Sequence, residues 1–284
     1  PKPLSLDTVL VCCHGGPGED GSLQAALDLS GIRHAGPSVA GAALGMDKLA
    51  FAALAMGAGI PALPRQLLTV HTTEADFEPP YIVKPRFGGS SIGIEVVADI
   101  KTAHDLAQHS VHLADGAVIE PFRSELFDLQ IAARSWPELQ LSAIERPLRN
   151  PGGRSEKPEI LGYRDKYAGG EGMVSAPREL PAQVDQDVAD RIRESVLRLA
   201  PQCDLRGVAR IDFLSSGADL WINEINTIPG SLAKYLWIDP ELSFANLLSD
   251  LLAEAGRRPP RRLVSTGADG AILQGASSIA AKLA

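Results

Sequence analysis

Two strongly apolar segments near the carboxyl end of the chain, residues 207–214 and 220–230, are typical of β-strands joined by a short polar turn. Side chains alternate along a strand, so residues two apart share one face. One face of these strands carries the polar residues Arg210, Asp212, Glu224 and Asn226. If the strands pair residues of equal parity, the four polar groups meet. The pattern therefore predicts a sheet with a polar cluster on one face.

This cluster has the composition of a metal site. Carboxylate and amide oxygens are the ligands that Mg²⁺ prefers when it also carries phosphate oxygens and water. The predicted ligands are Asp212, Glu224 and Asn226, and Arg210 beside them suits an anionic reacting group. The alternative is an exposed hairpin with a solvated polar face. The strongly apolar residues around the polar ones weaken that alternative.

The length and charge of the chain limit its class. At 284 residues it exceeds the usual size of one domain, which predicts two or three compact units that share a cleft. A net charge of -8 argues against nonspecific binding to nucleic acid, because it implies no broad basic surface. Three cysteines without disulfide or zinc spacing suggest reduced thiols in a cytoplasmic protein, with Cys12 and Cys13 packed in a strand.

We expect no membrane partner. The longest Ala/Gly-rich stretch, residues 39–61, carries Asp47 and Lys48 in its middle, and no secretory signal is visible. The chain also begins without methionine and enters almost directly into the apolar run 8–13. We therefore expect that an amino-terminal segment is missing.

The order of the predicted elements indicates an α/β organisation. Residues 8–13 form the first predicted strand, residues 14–21 a loop and residues 22–30 a helix. Further strands are predicted at 81–85, 94–97, 117–122, 128–133 and 141–147, and further helices at 46–57, 187–200 and 243–255. The polar, glycine-rich stretch 162–177 is long enough to be a mobile cover over a site. The basic stretch 257–262 is expected to be a solvated boundary rather than a nucleic-acid signal.

A glycine-rich loop, residues 88–93, joins two of the predicted strands. Glycines allow positive φ and let backbone N–H groups lie close to phosphates. Lys84 on the preceding strand and Lys48 supply cations for phosphate oxygens. Glu120 ends its strand, where it is placed to accept a hydrogen bond from an adenine amino group or simply to lie at the surface. These features predict a nucleotide site.

Several short motifs follow one another in register over more than two hundred residues. They are residues 14–21, 46–48, 84–85 with 89–93, 163–167, 210–212 and 223–230. In this order they resemble the ATP-grasp superfamily and, within it, the D-alanine–D-alanine ligase family. Each motif is loose alone, but the set in register is highly specific.

The resemblance implies an α/β (α+β) protein with the ATP-grasp fold and ATP between two α+β domains. The implied boundaries are 1–47 for a truncated amino-terminal α/β domain, 48–124 for a central domain with the glycine loop, 125–262 for a carboxy-terminal domain with the metal site, and 263–284 for a tail. The implied activity depends on ATP and Mg²⁺. One amino acid's carboxylate is activated as an acyl phosphate, and the amine of a second amino acid attacks it to form a peptide bond.

The resemblance also implies roles for single residues. The ATP-binding residues are Lys48, Lys84, Gly89, Ser90, Ser91, Glu120, Phe122, Arg123, Asp128 and Lys166, with Asp128 or Glu125 on the ribose. The ligands of two Mg²⁺ ions, for which Mn²⁺ is an alternative, are Asp212, Glu224 and Asn226. The catalytic residues are Arg210, Gly230 through its backbone N–H, Lys166, Ser90 and Tyr167. The residues that contact the amino-acid substrates are His14, Glu19, Arg210, Lys234 and Tyr235.

Two departures from the family pattern concern the amino-acid half of the site. The family's amino-terminal glutamate, which orients the first ammonium, has no counterpart here. Tyr235 falls closest to the serine that the family uses for the second carboxylate, and Lys234 either pairs with that carboxylate or faces water. Two alternatives therefore stay open, a biosynthetic ligase for other amino or carboxylic acids and a nucleotide-binding protein without ligase activity. The family's habit of pairing also suggests a homodimer.

Overall fold

The computed structural model describes residues 5–148 and 177–261. The strands are β1 Thr8–Leu10, β2 Arg33–Ala35, β3 Gln66–Leu68, β4 Tyr81–Pro85, β5 Glu95–Val97, β6 Ala117–Pro121, β7 Phe127–Arg134, β8 Gln140–Pro147, β9 Arg178–Glu179, β10 Val208–Ser215 and β11 Leu220–Asn226. The helices are α1 Gly16–Glu19, α2 Ser22–Leu29, α3 Val39–Met46, α4 Lys48–Gly57, α5 Ile100–His109, α6 Gln186–Leu199 and α7 Phe244–Arg257. Short 3₁₀ segments cover Val111–Leu113 and Gly230–Leu236.

The large sheet has the strand order β11-β10-β7-β8-β9 with antiparallel pairing throughout. Helix α6 covers its apolar face through Val188, Ile192, Val196 and Leu199, which are all buried. These residues recur at the spacing of one helix face, and the predicted helix 187–200 is confirmed. Helix α4 packs against the same core, so the other face of the sheet is left to the polar groups.

The small sheet has the order β3-β6-β4-β5, also antiparallel. Its core contains Val83 and Ile119, which are both 0% exposed, and the amphipathic helix α5 covers this side. The glycine-rich loop joins β4 to β5 as predicted. Ile82 and Lys84 of β4 and Glu120 of β6 line a cleft whose other wall is formed by residues of β10 and β11 in the large sheet.

A third unit precedes the two larger sheets in the chain. Strands β1 and β2 pair in parallel, and α7 returns from the carboxyl end of the described chain to pack on them. Trp237, which is 0% exposed, belongs to the same apolar cluster. The three sheets follow one another along the chain in the order predicted for the three domains. The domain boundaries at residues 47, 124 and 262 stay a prediction.

The predicted strand 8–13 and loop 14–21 need correction. Strand β1 ends at Leu10, and the last backbone bond to β2 runs from Val11 N to Ala35 O, 3.0 Å. The chain then leaves the sheet, so Cys12 and Cys13 are exposed rather than packed in a strand. Within the predicted loop, residues Gly16–Glu19 form a short helix with proline in its first turn, where proline needs no N–H partner.

The predicted helix 46–57 begins later, at Lys48. The Asp47 carboxylate caps it by accepting hydrogen bonds from Leu49 N and Ala50 N at 3.0 and 3.2 Å. The preceding helix α3 was not predicted, because its Ala/Gly-rich sequence lacks a clear apolar stripe. Strands β2 and β3 and helix α5 were also not predicted.

The predicted cover, residues 162–177, lies almost wholly outside the described residues, as do Lys166 and Tyr167. The tail 263–284 lies outside them as well. Over the ranges 5–148 and 177–261, no helix has the length and apolar character that a membrane crossing requires.

Candidate active site

The hairpin β10–β11 brings the predicted polar cluster together. Arg210 is in register with Asn226, and Asp212 is in register with Glu224. The pairing therefore joins residues of equal parity, which is the condition under which the four polar groups meet. A register shift follows Asp212, so the alternation changes only beyond the cluster.

Asp212 is the centre of this cluster and is only 3% exposed. Arg210 donates to both of its oxygens, from Nε to Oδ1 at 2.7 Å and from Nη2 to Oδ2 at 2.8 Å. Asn226 Nδ2 lies 3.2 Å from Oδ2, and Gln130 Nε2 lies 3.5 Å from the same oxygen. Burial by itself lowers the pKa of Arg210, but the Asp212 carboxylate outweighs burial and holds that pKa well above its usual value.

The cluster offers two carboxylates and one amide to a divalent cation. Within the described residues, no three His, Cys, Asp or Glu side chains converge on one point, so an ion here would need further oxygens. Phosphate and water supply such oxygens to Mg²⁺, which usually takes only one or two protein carboxylates. The Asn226 Nδ2 atom now faces Asp212. If the amide group rotates by 180°, its oxygen takes that position, and an ion beside Asp212 could then bind this oxygen. The residues present therefore fit Mg²⁺ bound together with a phosphate.

A cleft that is partly open to solvent, with an enclosed volume of about 110 Å³, lies between the small sheet and the hairpin. The predicted site residues that line it are Lys48, Lys84, Gly89, Ser91, Glu120, Phe122, Arg123, Asp128, Asp212 and Glu224. Glu125, the other ribose candidate, is exposed, pairs with Arg123 and does not itself line the cleft. Most of the predicted nucleotide and metal residues thus meet on one cleft, whereas Ser90 and Asn226 are not part of its lining and Lys166 lies outside the described residues.

Lys48 stands at the start of α4 and is 5% exposed. Its Nζ donates to the carbonyl of Gly88 in the glycine-rich loop and lies 4.0 Å from Glu224 Oε2. Burial lowers the pKa of this ammonium, and the charge of Lys84 lowers it further, while Glu224 opposes the shift. Lys48 is therefore a cation held between the glycine-rich loop and the polar cluster of the hairpin.

Glu120 is buried, and both of its oxygens are occupied. Lys84 Nζ donates to Oε2 at 2.7 Å, and Arg65 Nε forms an ion pair with Oε1 at 2.8 Å. Burial favours the neutral acid, but Arg65 and Lys84 outweigh burial and keep the pKa of Glu120 below its usual value. The carboxylate therefore fixes Lys84, while its predicted contact with adenine stays a prediction.

His14, a predicted residue of the first motif, contacts the glycine-rich loop and the turn after β11. His14 Nε2 lies 3.0 Å from Ser90 Oγ, and His14 Nδ1 lies 2.9 Å from the carbonyl of Ile228. A carbonyl only accepts, so Nδ1 donates to it, and in the neutral ring Nε2 accepts from the Ser90 hydroxyl. Ser90 has a left-handed backbone with φ 57°, a conformation that costs energy for a residue with a Cβ.

Glu19, which is 6% exposed, ties the same region together from α1. It accepts from Gly15 N at 2.8 Å and from Ile228 N at 3.2 Å, and it lies 3.4 Å from His14 Nδ1. A small cavity beside the main cleft, of about 20 Å³, is lined by Glu19, Lys48 and Asn226, among others. The predicted substrate residue Glu19 therefore lies across this cavity from Glu224 and Asn226 of the polar cluster.

The segment after β11 carries the remaining predicted residues. Gly230 begins the 3₁₀ segment, and the next three residues have left-handed backbone with φ near 50°. This turn brings the Tyr235 hydroxyl into a buried position near Arg210 and Glu145, where burial raises its pKa although Arg210 opposes the shift. The Lys234 side chain is half-buried and makes no ion pair within the described part of the chain.

Sequence reasoning missed several charged residues around the site. Arg65 binds Glu120, Arg86 holds Asp47 through two hydrogen bonds of 3.0 and 2.6 Å, and Glu145 pairs with Arg178 at 3.0 Å. None of them lies in a recognisable motif. A signal existed only for Arg86, because it directly follows the Lys84-Pro85 pair before the glycine-rich loop.

Comparison with known proteins agrees with the geometry. The family model described as D-ala D-ala ligase C-terminus matches residues 43–253. D-alanine–D-alanine ligase of Nocardia farcinica is 32% identical over 262 residues, covering 88% of this chain and 70% of the relative. The Campylobacter lari enzyme of the same name is 30% identical over 255 residues, with 88% and 68% covered.

Solved structures give the same result. The D-alanine–D-alanine ligase of Helicobacter pylori matches with a TM-score of 0.68 and 26% identity over 92% of this chain and 73% of that one. The VanG D-Ala:D-Ser ligase of Enterococcus faecalis matches with a TM-score of 0.72 and 25% identity over 89% and 74%. The chain therefore belongs to the D-alanine–D-alanine ligase family and is an ATP-dependent carboxylate–amine ligase with the ATP-grasp fold.

Proposed function

We propose that the chain joins two D-alanine molecules in an ATP- and Mg²⁺-dependent reaction that serves cell-wall synthesis in the cytoplasm. The observation that carries this proposal is the convergence of Lys48, Lys84, the glycine-rich loop and the Asp212–Glu224 pair on one cleft. A cation pair opposite two carboxylates suits a triphosphate that arrives with divalent metal. The names of the relatives supply the identity of the substrates.

The reaction balances in two transfers. An oxygen of the first carboxylate attacks the γ-phosphorus, and the bond to ADP breaks. The amine of the second molecule then attacks the carbonyl carbon of the acyl phosphate, and inorganic phosphate leaves as the peptide bond forms. The ammonium of the second molecule loses one proton before its amine attacks and a second proton as the peptide bond forms, each to solvent or to a group at the site.

The residues of the cleft divide this work. Lys48 and Lys84 bind the phosphates, and Ser90 and Ser91 close the loop over them. Asp128 contacts the ribose, with Phe122 and Arg123 beside the adenine. For Lys166 and Tyr167, which are outside the described residues, the proposed roles are contact with the transferring phosphoryl group and, together with Ser90, a hydrogen-bond network to the substrate.

The metal and oxyanion roles fall to the hairpin and the turn after it. Asp212, Glu224 and Asn226 would hold Mg²⁺, with Mn²⁺ as a substitute. When bound, the ion neutralises phosphoryl charge and favours in-line transfer. Arg210 and the backbone N–H of Gly230 steady the oxyanion that develops as the amine attacks, an interaction that favours the transition state.

Substrate-dependent ADP release tests the proposal. The full chain is assayed with Mg²⁺-ATP and a panel of D- and L-amino acids, and the products are identified by mass. The expected result is ADP release that requires D-alanine and yields the D-alanine dimer. ADP release without that product, or nucleotide binding without any substrate-dependent turnover, contradicts it.

A second function has one observation in its favour. The half-buried Lys234, which has no ion pair in the described chain, lies beside Tyr235 at the predicted pocket for the second substrate. A cation there suits a second amino or carboxylic acid other than D-alanine, and one structural relative is named a D-Ala:D-Ser ligase. Mixed products in the same panel would identify this function.

Light scattering of the purified chain would test the proposed homodimer.

A further inference from the structure

The segment that follows α4 passes from one wall of the cleft to the other. Its first part lies along the large sheet, where Pro61 O accepts a bond from Ile222 N at 2.8 Å and Ala62 forms a bridge with Ile222. A few residues later it becomes β3 of the small sheet. Arg65 directly precedes β3, at the point where the chain changes sheets.

The Arg65 side chain is 2% exposed and holds three separate segments. Nη1 donates to the backbone carbonyl of Lys48 at 2.8 Å. Nη2 donates to the backbone carbonyl of Asn223 at 2.6 Å and to its Oδ1 at 3.1 Å. Nε lies 2.8 Å from Glu120 Oε1, which makes an ion pair without the geometry of a hydrogen bond. One guanidinium therefore contacts the start of α4, strand β11 and strand β6.

Each of these partners stands next to a predicted ligand-binding group. The carbonyl of Lys48 belongs to one of the two proposed phosphate-binding lysines. Glu120 binds the other, Lys84, through its second oxygen. Asn223 directly precedes the proposed metal ligand Glu224. Arg65 itself is absent from the residues that line the cleft. It can therefore affect a nucleotide only through the groups that it holds.

We propose that Arg65 is a positioning residue that fixes the spacing between the two phosphate-binding lysines and the metal-binding strand β11. This inference rests on the proposed nucleotide site. The planar guanidinium presents five donors spread over three nitrogens in a fixed fork, whereas an ammonium has three donors on one nitrogen and cannot span acceptors on three separate segments in the same way. If the two lysines and strand β11 are already fixed before the nucleotide binds, less conformational entropy is lost on binding.

Charge sharing at Glu120 adds to this role. Arg65 and Lys84 share one carboxylate, so Lys84 is only partly neutralised and keeps charge for a phosphate. Without Arg65, Glu120 would pair with Lys84 alone. The loss of Arg65 is therefore expected to weaken nucleotide binding through both geometry and charge.

The test measures the dissociation constant of a non-hydrolysable ATP analogue with Mg²⁺ by calorimetry on the full chain. Arg65→Met is expected to bind about tenfold more weakly or worse, because hydrogen bonds from a charged group are lost. Arg65→Lys keeps the charge and loses the fork, and we expect a weakening of about fivefold or more. Asn223→Ala removes the side-chain amide and its bond to Arg65 but keeps the bond from Arg65 to the backbone carbonyl, so it is expected to weaken binding in the same direction but less.

Arg198 offers a matched control at the other end of α4. Its Nη1 also faces two backbone carbonyls, those of Ala58 and Gly59, at 3.5 and 3.4 Å, but far from the cleft. Arg198→Met and Arg198→Lys are expected to change the dissociation constant less than about twofold. Thermal unfolding of every variant separates folding from binding.

The outcomes are distinct. If folded Arg65→Lys binds the analogue like the unmodified chain, or if Arg65→Met loses stability while its folded fraction binds normally, Arg65 is only structural and the inference is wrong. If Arg65→Met does not fold, Arg65→Lys and Asn223→Ala decide. Nucleotide binding that responds to Arg65 in a chain without ligase activity upholds the inference and refutes the proposed D-alanine reaction, so the two failures are distinguishable.

Discussion

Arg210 and Asp212, two residues apart on β10, hold each other through two parallel hydrogen bonds of 2.7 and 2.8 Å. Both side chains are at most 5% exposed, so solvent screens the pair little. The carboxylate that is proposed to bind metal therefore also fixes the arginine that is proposed to face the oxyanion. Effects of changes at these two residues should not add, because each change also releases the partner.

Removal of the proposed metal ligands should abolish turnover. Asp212→Asn and Glu224→Gln each keep the side-chain shape and remove a negative charge, and we expect the rate of ADP release to fall by about a hundredfold or more. The control is Asp219→Asn in the exposed hairpin turn, which should leave the rate unchanged. Unchanged nucleotide turnover in the first two variants would show that the metal assignment is wrong.

The link between His14 and Ser90 should support the closed glycine-rich loop. His14→Phe loses the bonds to Ser90 and to the Ile228 carbonyl, and we expect kcat/KM for ATP to fall about tenfold. Ser90→Ala removes the same contact from the other side. The double variant should be little worse than His14→Phe alone. Fully additive losses would mean that the two side chains act independently.

His34 should make stability depend on pH below neutrality. It is 1% exposed, and its pKa is lowered, first by burial and then by Arg206, while Asp28 opposes the shift. Between the lowered pKa and the usual value of 6.5 the unfolded chain binds more protons than the folded one. The free energy of unfolding should therefore fall as pH drops below 6.5, by at most about 1.4 kcal/mol per pH unit.

Urea unfolding at pH 7.5 and 5.5 checks this dependence. Wild type should lose more stability between the two pH values than His34→Gln, which cannot take up a proton. His71→Gln, a change at an exposed histidine, should behave like wild type. An equal loss in wild type and His34→Gln would assign the pH dependence to other groups.

The thiols should separate into two classes. Cys12 and Cys13 are exposed, whereas Cys203 is buried, and burial raises its pKa to about 11. A thiol–disulfide reagent at pH 8 should react quickly with two thiols of the native chain and with the third only after denaturation. Cys203→Ser should leave unchanged the number of thiols that react quickly in the native chain. A third fast thiol in the native protein would contradict the position of Cys203 in the core.

The sequence was sufficient to predict the polar face of the hairpin. Alternation along a strand is a local property of the backbone, so Arg210 and Asp212, and likewise Glu224 and Asn226, had to share faces. The helix 187–200 was predictable for the same reason, since its apolar residues recur at helical spacing. The motifs supplied the family, because their order along the chain does not depend on knowing where they meet.

Contacts between distant segments were decided only by the tertiary structure. Arg65 is a single charged residue outside any motif, and its bonds to Lys48, Asn223 and Glu120 arise because the chain changes sheets at that point. The start of α4 also depended on a distant partner, since Asp47 both caps the helix and holds Arg86. Strand and helix periods follow from neighbouring residues, whereas buried ion pairs depend on which segments the fold packs together.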